Sequence, residues 1–485
     1  MDPSDPATIL VNETFQRYQS DRTAHWDAQA RRMRSWKSAG GYYHTRLEQI
    51  YRFLIPEGTR VLEVGCATGD LLAALKPSRG VGIDFSTEMI HIARQQYPGL
   101  CFIQADIHEL VLDEKFDFII LSDTINDLWD VQLAFQKIAP LCTASTRILI
   151  NYYNKLWELP LQAARALKLA TPNLHQNWLT GDDVKNLLYL EDFETIRTWK
   201  EIFCPVNIPL LASFCNRFLV RLWPFNGLAL TNFTMARPAP QTIHHPQPTV
   251  SVIIPTRNEA GNIPAIFQRT PEMGAGTELV FVEGGSTDNT RVTIEQSIKE
   301  HPDRKAVLLQ QDGKGKGDAV RKGFANASGD ILMILDADLT VPPEDLPRFY
   351  EALVTGKGDL INGVRLVYPM EKEAMRFLNL LGNKFFSLVF SWLLGQAVKD
   401  TLCGTKVLWK QDYEAIAANR FYFGDFDPFG DFDLIFGASK LNFKITDIPV
   451  RYRERTYGST NINRWKHGWL LLRMVMFAAR RLKFV

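Results

Sequence analysis

The chain has 485 residues, 46% hydrophobic and 22% charged, which sets a prior of two or three domains with ordinary globular cores. A formal net charge of +1 argues against a dedicated nucleic-acid binder. Six scattered cysteines with no CxxC pair argue against a disulfide framework or zinc site and suit reduced thiols in the cytoplasm.

The polar start Met-Asp-Pro-Ser-Asp-Pro does not pattern as a secretory signal. Residues 1–58 pattern as helix, with a basic cluster at Arg31-Arg-Met-Arg34. From Arg60 to about Asn151, strand and helix patterns alternate. The apolar runs at 61–64, 80–83, 101–103, 116–121 and 147–150 are short enough for buried parallel strands, so a doubly wound α/β sheet is expected. Residues 152–235 are apolar and aromatic without a readable period. Four prolines in the polar stretch 236–248 mark a linker, and a second βα series begins at Thr249. The halves share no glycine or acid pattern, so this is no internal repeat. The expected division is a domain over 1–236, a linker over 237–248, a second α/β domain over 249–464 and a basic amphipathic helix over 465–485.

The first domain carries Val61-Leu-Glu-Val-Gly-Cys-Ala-Thr-Gly-Asp70, a glycine-rich turn between strand and helix. Glycine permits a tight turn and close backbone approach to a ligand. Asp84 ends the next strand, where an acid can hydrogen-bond ribose hydroxyls. Asp106 follows the third strand. There is no Walker lysine and no GxGxxG, so the turn suits a cofactor without phosphates. This set resembles the class I S-adenosylmethionine-dependent methyltransferases over about residues 55–155. The resemblance implies a Rossmann-like fold and a cofactor site made by Glu63, Gly65 and Gly69 (methionine end), Asp84 (ribose) and Asp106 (adenine), with Asp123 on the reacting side. It does not name the methyl acceptor. His91 and His108 read first as surface or packing residues. Tyr152 and Tyr153 have two readings, acceptor pocket or core.

The second domain begins with a strand ending in Pro255-Thr-Arg-Asn-Glu259. A further strand ends in Glu283-Gly-Gly-Ser-Thr-Asp288, then come Gln311-Asp-Gly-Lys-Gly-Lys316 and an apolar strand ending in Asp336-Ala-Asp338. Two carboxylates one residue apart at a strand end can address one hard cation, and Mg²⁺ or Mn²⁺ accepts diphosphate oxygens in the same shell. In this order the elements resemble the inverting family 2 glycosyltransferases of GT-A fold, in particular the dolichol- and polyprenyl-phosphate mannosyltransferases, over about 249–465. The resemblance implies a GDP- or UDP-sugar donor bound by Pro255, Arg257, Glu259, Glu283, Asp312, Lys316 and Asp336, with metal on Asp336 and Asp338. It implies acceptor phosphate or donor diphosphate on Arg365, Arg376 and Arg455. Asp400 and Asp433 (with Asp431 beside it) are the candidate bases if a hydroxyl must be deprotonated. Two departures stand out. Gly284 replaces a second acid, and Thr340 replaces a stronger metal ligand.

Residues 451–485 hold nine Lys or Arg against one Glu, a local net charge of +8. Lys466, Arg473 and Arg480 recur every seven residues, with Trp469, Leu472 and Met476 on another face, as in a helix lying in a membrane interface. The apolar stretch 377–398 can join that surface, and no run reaches the ~18–20 apolar residues of a spanning helix. The expectation is a bifunctional enzyme, cytoplasmic and peripheral on the membrane, with polyprenyl phosphate as acceptor. The alternatives are transfer to a saccharide hydroxyl, and a methyltransferase-like domain that only binds.

Overall fold

The computed structural model describes residues 6–32, 41–166, 174–240, 247–365, 367, 377–422, 432–453, 455, 457 and 464–484. Arg376 and Asp431 therefore lie outside the described residues. The chain divides into two compact units, Met1–Ala239 and Pro240–Val485.

In the first unit the strands are β1 (Arg60–Val64), β2 (Arg79–Asp84), β3 (Cys101–Gln104), β4 (Phe118–Ser122), β5 (Arg147–Tyr153), β6 (Phe193–Glu201) and β7 (Thr231–Pro238). They form one sheet in the order β3-β2-β1-β4-β5-β7-β6. The first five are parallel, and β7 enters antiparallel between β5 and β6. The period of two assigns the faces. Leu62, Val64, Ile119, Leu121, Ile148 and Ile150 pack in one core, while Val61, Ile120, Leu149, Phe233 and Met235 pack in the other. The stretch with no readable period thus supplies the antiparallel edge. β7 runs through Arg237, anchored by an ion pair to Glu194, and so takes in the first two residues expected to be linker.

In the second unit the strands are β8 (Val250–Thr256), β9 (Thr277–Glu283), β10 (Lys305–Gln310), β11 (Ile331–Ile334), β12 (Leu360–Val364), β13 (Lys406–Trp409) and β14 (Ile445–Pro449). The sheet order is β10-β9-β8-β11-β13-β12-β14, with β13 antiparallel to both neighbours. Ile253, Leu332, Ile334 and Leu408 face one core; Val252, Ile254, Met333 and Val407 face the other. The helices Phe377–Leu394 and Arg464–Ala478 close the first of these cores through Phe390, Leu393, Leu471 and Met474. Both units are α/β with order reversals beside β1 and β8, where a parallel sheet opens a crevice at its carboxyl ends.

Candidate active sites

In the first unit the turn after β1 is built for close approach. Gly65 (φ +72°), Ala67 (φ +45°) and Gly69 (φ +78°) all take the left-handed conformation. A Cβ on Gly65 would stand 2.5 Å from Thr124 Oγ1, and one on Gly69 would stand 2.5 Å from Phe102 Cζ. Only glycine meets both demands at these two positions. Glu63 is buried in β1, and burial pushes its carboxyl well above the usual range although the Leu72 amide pulls the other way. It sits beneath the turn.

Asp84 ends β2 with its two oxygens accepting from the amides of Ala67 (3.0 Å) and Ser86 (2.9 Å). Burial raises its pKa to about 6, offset in part by those amides. Asp106 accepts from His108 N at 2.9 Å and from Gln19 Nε2 at 2.9 Å, and its carboxylate also meets His108 Nδ1. His108 is buried here, with Nε2 at Asp130, so it packs rather than faces solvent.

Sequence reading missed two contributions. The helix Pro6–Arg32 reaches the strand ends. Gln19 meets Asp106, Asp27 accepts from Ser86 Oγ, and Arg22 and Trp26 hold Asp127 at 2.6 and 2.8 Å. The second contribution surrounds Asp123, just past β4. Its carboxylate accepts from Tyr43 Oη (2.9 Å) and Asn151 Nδ2 (2.7 Å), and burial raises its pKa to about 7 against those two hydrogen bonds. Tyr43 lies on the helix Gly41–Leu54, which no motif marks. The Tyr153 ring lies tilted against those of Tyr43 and Trp178, at 6.4 and 6.3 Å between centroids, and Tyr152 is buried.

In the second unit the loops after β8 and β9 are laced together. Asn258 Oδ1 accepts from Thr287 N at 2.8 Å, and Glu259 N donates to Thr290 Oγ1 at 2.9 Å. Pro255 lies in β8, and Arg257 beyond it is exposed. Glu283 ends β9. Burial raises its carboxyl, but the Ser286 hydroxyl and amide more than offset this and hold it below its usual range. Gly284 has a structural counterpart, since a Cβ there would come 2.7 Å from Gln311 Oε1. Gln311 thus fills the room a second acid would need. Asp312 is exposed and paired with Lys322 at 2.7 Å.

The centre lies past β11. Asp336 Oδ1 meets Lys316 Nζ at 2.6 Å, from the first turn of the helix Lys316–Asn326. Burial raises its carboxyl, and Lys316, Lys406 and Arg365 together bring it below the usual range. Asp338 Oδ2 meets Arg455 Nη2 at 2.5 Å, and Oδ1 accepts the Thr340 amide (3.1 Å) and hydroxyl (2.8 Å). The Thr340 hydroxyl is thus a donor that orients Asp338. Arg455 Nη1 also reaches Glu259 at 3.4 Å, tying the loop after β14 to the loop after β8. In the same region Tyr457 packs on Gly261 so closely that a Cβ there would stand 2.5 Å from its ring. Among the described residues no group of three or more His, Cys, Asp or Glu is placed to hold a metal.

Three residues sit differently from the sequence reading. Arg365 Nε and Nη2 bind Asp400 at 2.7 and 2.9 Å, with the Arg365 amide on the same carboxylate. Burial raises Asp400, but Arg365 overrides it and holds the carboxyl below its usual range, which makes it a poor base. The candidate phosphate ligand and the candidate base are thus one buried ion pair. Asp433 pairs with Arg420 at 2.8 Å on the helix Phe432–Lys440, whose neighbours Phe432, Leu434 and Ile435 are core.

Comparison with known proteins agrees with this division. Residues 251–404 match the family model "Glycosyl transferase family 2", and residues 55–195 match "Methyltransferase domain". The chain joins a methyltransferase domain to a family 2 glycosyltransferase domain. It is 34% identical over 218 residues to dolichol-phosphate mannosyltransferase of Pyrococcus furiosus, 44% of this chain and 59% of that protein. It is 28% identical over 232 residues to polyprenol monophosphomannose synthase of Mycolicibacterium smegmatis, 46% of this chain and 84% of that protein. The chain thus spans less than two thirds of the length of the Pyrococcus relative. A solved glucosyl-3-phosphoglycerate synthase from Mycobacterium tuberculosis overlays with a TM-score of 0.35 at 20% identity, covering 48% of this chain and 80% of that one.

Proposed function

We propose that the C-terminal unit transfers a sugar from a GDP- or UDP-sugar to a polyprenyl phosphate with inversion, and that the N-terminal unit methylates an acceptor from S-adenosylmethionine. One observation carries the first half: Asp336, Asp338, Glu259, Lys316 and Arg455 converge past the carboxyl ends of β8 and β11. Asp336 and Asp338 are the residues that would hold Mg²⁺ or Mn²⁺, since carboxylate oxygens one residue apart suit a hard ion whose remaining ligands are diphosphate and water. When bound, that ion offsets charge developing on the leaving diphosphate. Lys316 and Arg455 exchange their carboxylate partners for phosphate oxygens as the donor arrives, a role that guanidinium forks suit. Arg257, Glu283 and Asp312 border the nucleoside, and Arg376 and Arg455 supply positive potential to the acceptor phosphate.

A phosphate acceptor is favoured over a saccharide hydroxyl because, among the described residues, the two candidate bases Asp400 and Asp433 are each held by an arginine. An ionised phosphate needs no base. The relatives' names point the same way. No described helix is long and apolar enough to cross a membrane. Peripheral attachment at the cytoplasmic face is supported by the helices Phe377–Leu394 and Arg464–Ala478, which expose Phe385, Leu388, Trp392, Trp469, Leu472 and Met476 beside Arg473 and Arg480.

In the N-terminal unit the backbone turn at Gly65 and Gly69 fits the methionine end of S-adenosylmethionine, which when bound donates the methyl group. Asp84 is held by two amides in position to accept ribose hydroxyls, and Asp106 borders the adenine. Asp123, poised near neutral pH by burial, can hold the proton that leaves the acceptor. Calorimetric titration of the full chain tests both halves. S-adenosylmethionine should bind in wild type and be lost in Asp84→Ala. GDP or UDP should bind in the presence of Mn²⁺ and be lost in Asp336→Asn. Absence of either pair of results removes the corresponding half.

A further inference from the structure

The segment between the buried residues Ile202 and Leu230 lies outside the matched methyltransferase stretch, which ends at 195. It is ordered from within. Asn216 is buried and bridges Phe203 N, Cys204 N and Cys204 O at 2.7–2.8 Å. Asn154 Nδ2 and Trp157 Nε1 donate to Gly227, Leu228 and Ala229 carbonyls at 2.8–3.0 Å. On this frame Leu210, Leu211, Phe214, Trp223, Phe225 and Leu228 all face solvent, with Leu210 88% and Trp223 86% exposed. So dense a run of large exposed apolar side chains is unusual for a surface that meets only water.

Leu210 sharpens the point. Its φ of +64° and ψ of −46°, with Leu211 N bonded to Pro209 O at 2.7 Å, make a γ-turn of the strained hand. A leucine is thus held in an unfavourable conformation with its side chain in water. Charge selects the occupant. Residues 203–229 contain no Asp or Glu and two arginines, Arg217 and Arg221. Arg221 also pairs with Glu201, and Arg46 and Arg197 lie near enough to feel both. Trp, Phe and Leu on a stretch that carries two arginines and no carboxylate match the acyl–headgroup boundary of an anionic bilayer.

We infer that residues 205–228 form a second membrane-interface element, which seats the methyltransferase domain on an anionic lipid surface by inserting Leu210, Phe214 and Trp223. It is separate from the helices of the glycosyltransferase domain and does not depend on the identity of the sugar acceptor.

The test is sedimentation of the full chain with vesicles of phosphatidylcholine alone and with added phosphatidylglycerol. The triple change Leu210→Ser, Phe214→Ser, Trp223→Ser should weaken binding to the anionic vesicles by at least ~10-fold, about 1.4 kcal/mol. The melting curve and S-adenosylmethionine binding should not change. Lipids brominated in the upper acyl chain should quench tryptophan fluorescence less in Trp223→Phe than in wild type. A second triple variant, Trp469→Ser, Leu472→Ser, Met476→Ser, isolates the other domain's helix. The inference is overturned if the first variant binds as well as wild type while the second alone loses binding. It is also overturned if the first variant merely turns an oligomer into monomers in sedimentation velocity, which would make this face a contact between copies. Sugar transfer to a short-chain polyprenyl phosphate in solution should survive the first triple change, so failure here leaves the proposed reaction standing.

Discussion

Gly404 lies against Asp336 so closely that a Cβ at 404 would stand 2.1 Å from Asp336 Oδ2 and 2.3 Å from Lys316 Nζ. The loop leading into β13 therefore has no side chain where the carboxylate and its lysine partner meet. The first prediction follows from that contact. Gly404→Ala should break the Asp336–Lys316 geometry while costing only ~1–3 kcal/mol of stability, because the displaced atoms are ends of flexible side chains. Sugar transfer should fall far more than the melting temperature does. Equal, small losses in both would show that the contact does not matter to the reaction.

Asp336→Asn and Asp338→Asn should each lower turnover by ~10²–10³, the scale for losing one preorganised electrostatic group. Steady-state kinetics at saturating Mn²⁺ reads this directly. Asp433→Asn should cost little turnover, because its carboxylate serves Arg420. A full loss in Asp433→Asn would restore it as the base and favour a hydroxyl acceptor.

The Arg365–Asp400 pair is buried, with side chains 12% and 1% exposed, and makes three hydrogen bonds. Removing either partner alone, as in Arg365→Ala or Asp400→Ala, should destabilise by ~3–5 kcal/mol through the uncompensated charge left behind. Chemical denaturation of the full chain measures it. A variant of unchanged stability that is defective only in KM for the lipid would instead make Arg365 a direct phosphate ligand.

Much of this was legible in the sequence. The glycine turn after β1 and the Asp336–Asp338 pair are local signals, and short apolar runs located eight parallel-sheet strands within a residue or two. The rest depended on contacts distant in sequence. No pattern links Arg365 to Asp400 or Arg455 to Asp338; Arg365 follows β12 and meets the loop before β13, and Arg455 follows β14 and meets the loop after β11. Tyr43 carries no motif and meets Asp123 only because its helix packs on the sheet. β6 and β7 were unreadable because an edge pair with polar residues on both faces lacks a clean apolar alternation. Gly284 looked like a missing acid, and the structure shows Gln311 in that space.

Titration offers a further check. Burial raises Asp84 to about 6 and Asp123 to about 7, each partly offset by hydrogen bonds. An unfolded aspartate titrates near ~3.9, so the folded form retains these protons to higher pH. Their contribution to stability is fully present below ~3.9 and is lost as pH rises through about 6 and about 7. Asp84→Asn and Asp123→Asn should flatten the decline in thermal stability across that window. S-adenosylmethionine binding should run the opposite way, weakening ~10-fold per unit below pH 6 as Asp84 loses its charge. Calorimetry at several pH values, with the Asp84→Asn variant as a flat control, decides it.

The central claim is that Asp336 and Asp338 serve transfer of a sugar to a lipid phosphate. The most direct measurement is mass spectrometry of the lipid fraction after incubating the full chain with a GDP- or UDP-sugar, Mn²⁺ and polyprenyl phosphate. A polyprenyl-phosphate sugar of inverted anomeric configuration should form with wild type and be absent with Asp336→Asn. Release of free nucleotide with sugar appearing only on a saccharide hydroxyl, or a lipid product undiminished in Asp336→Asn, would contradict it.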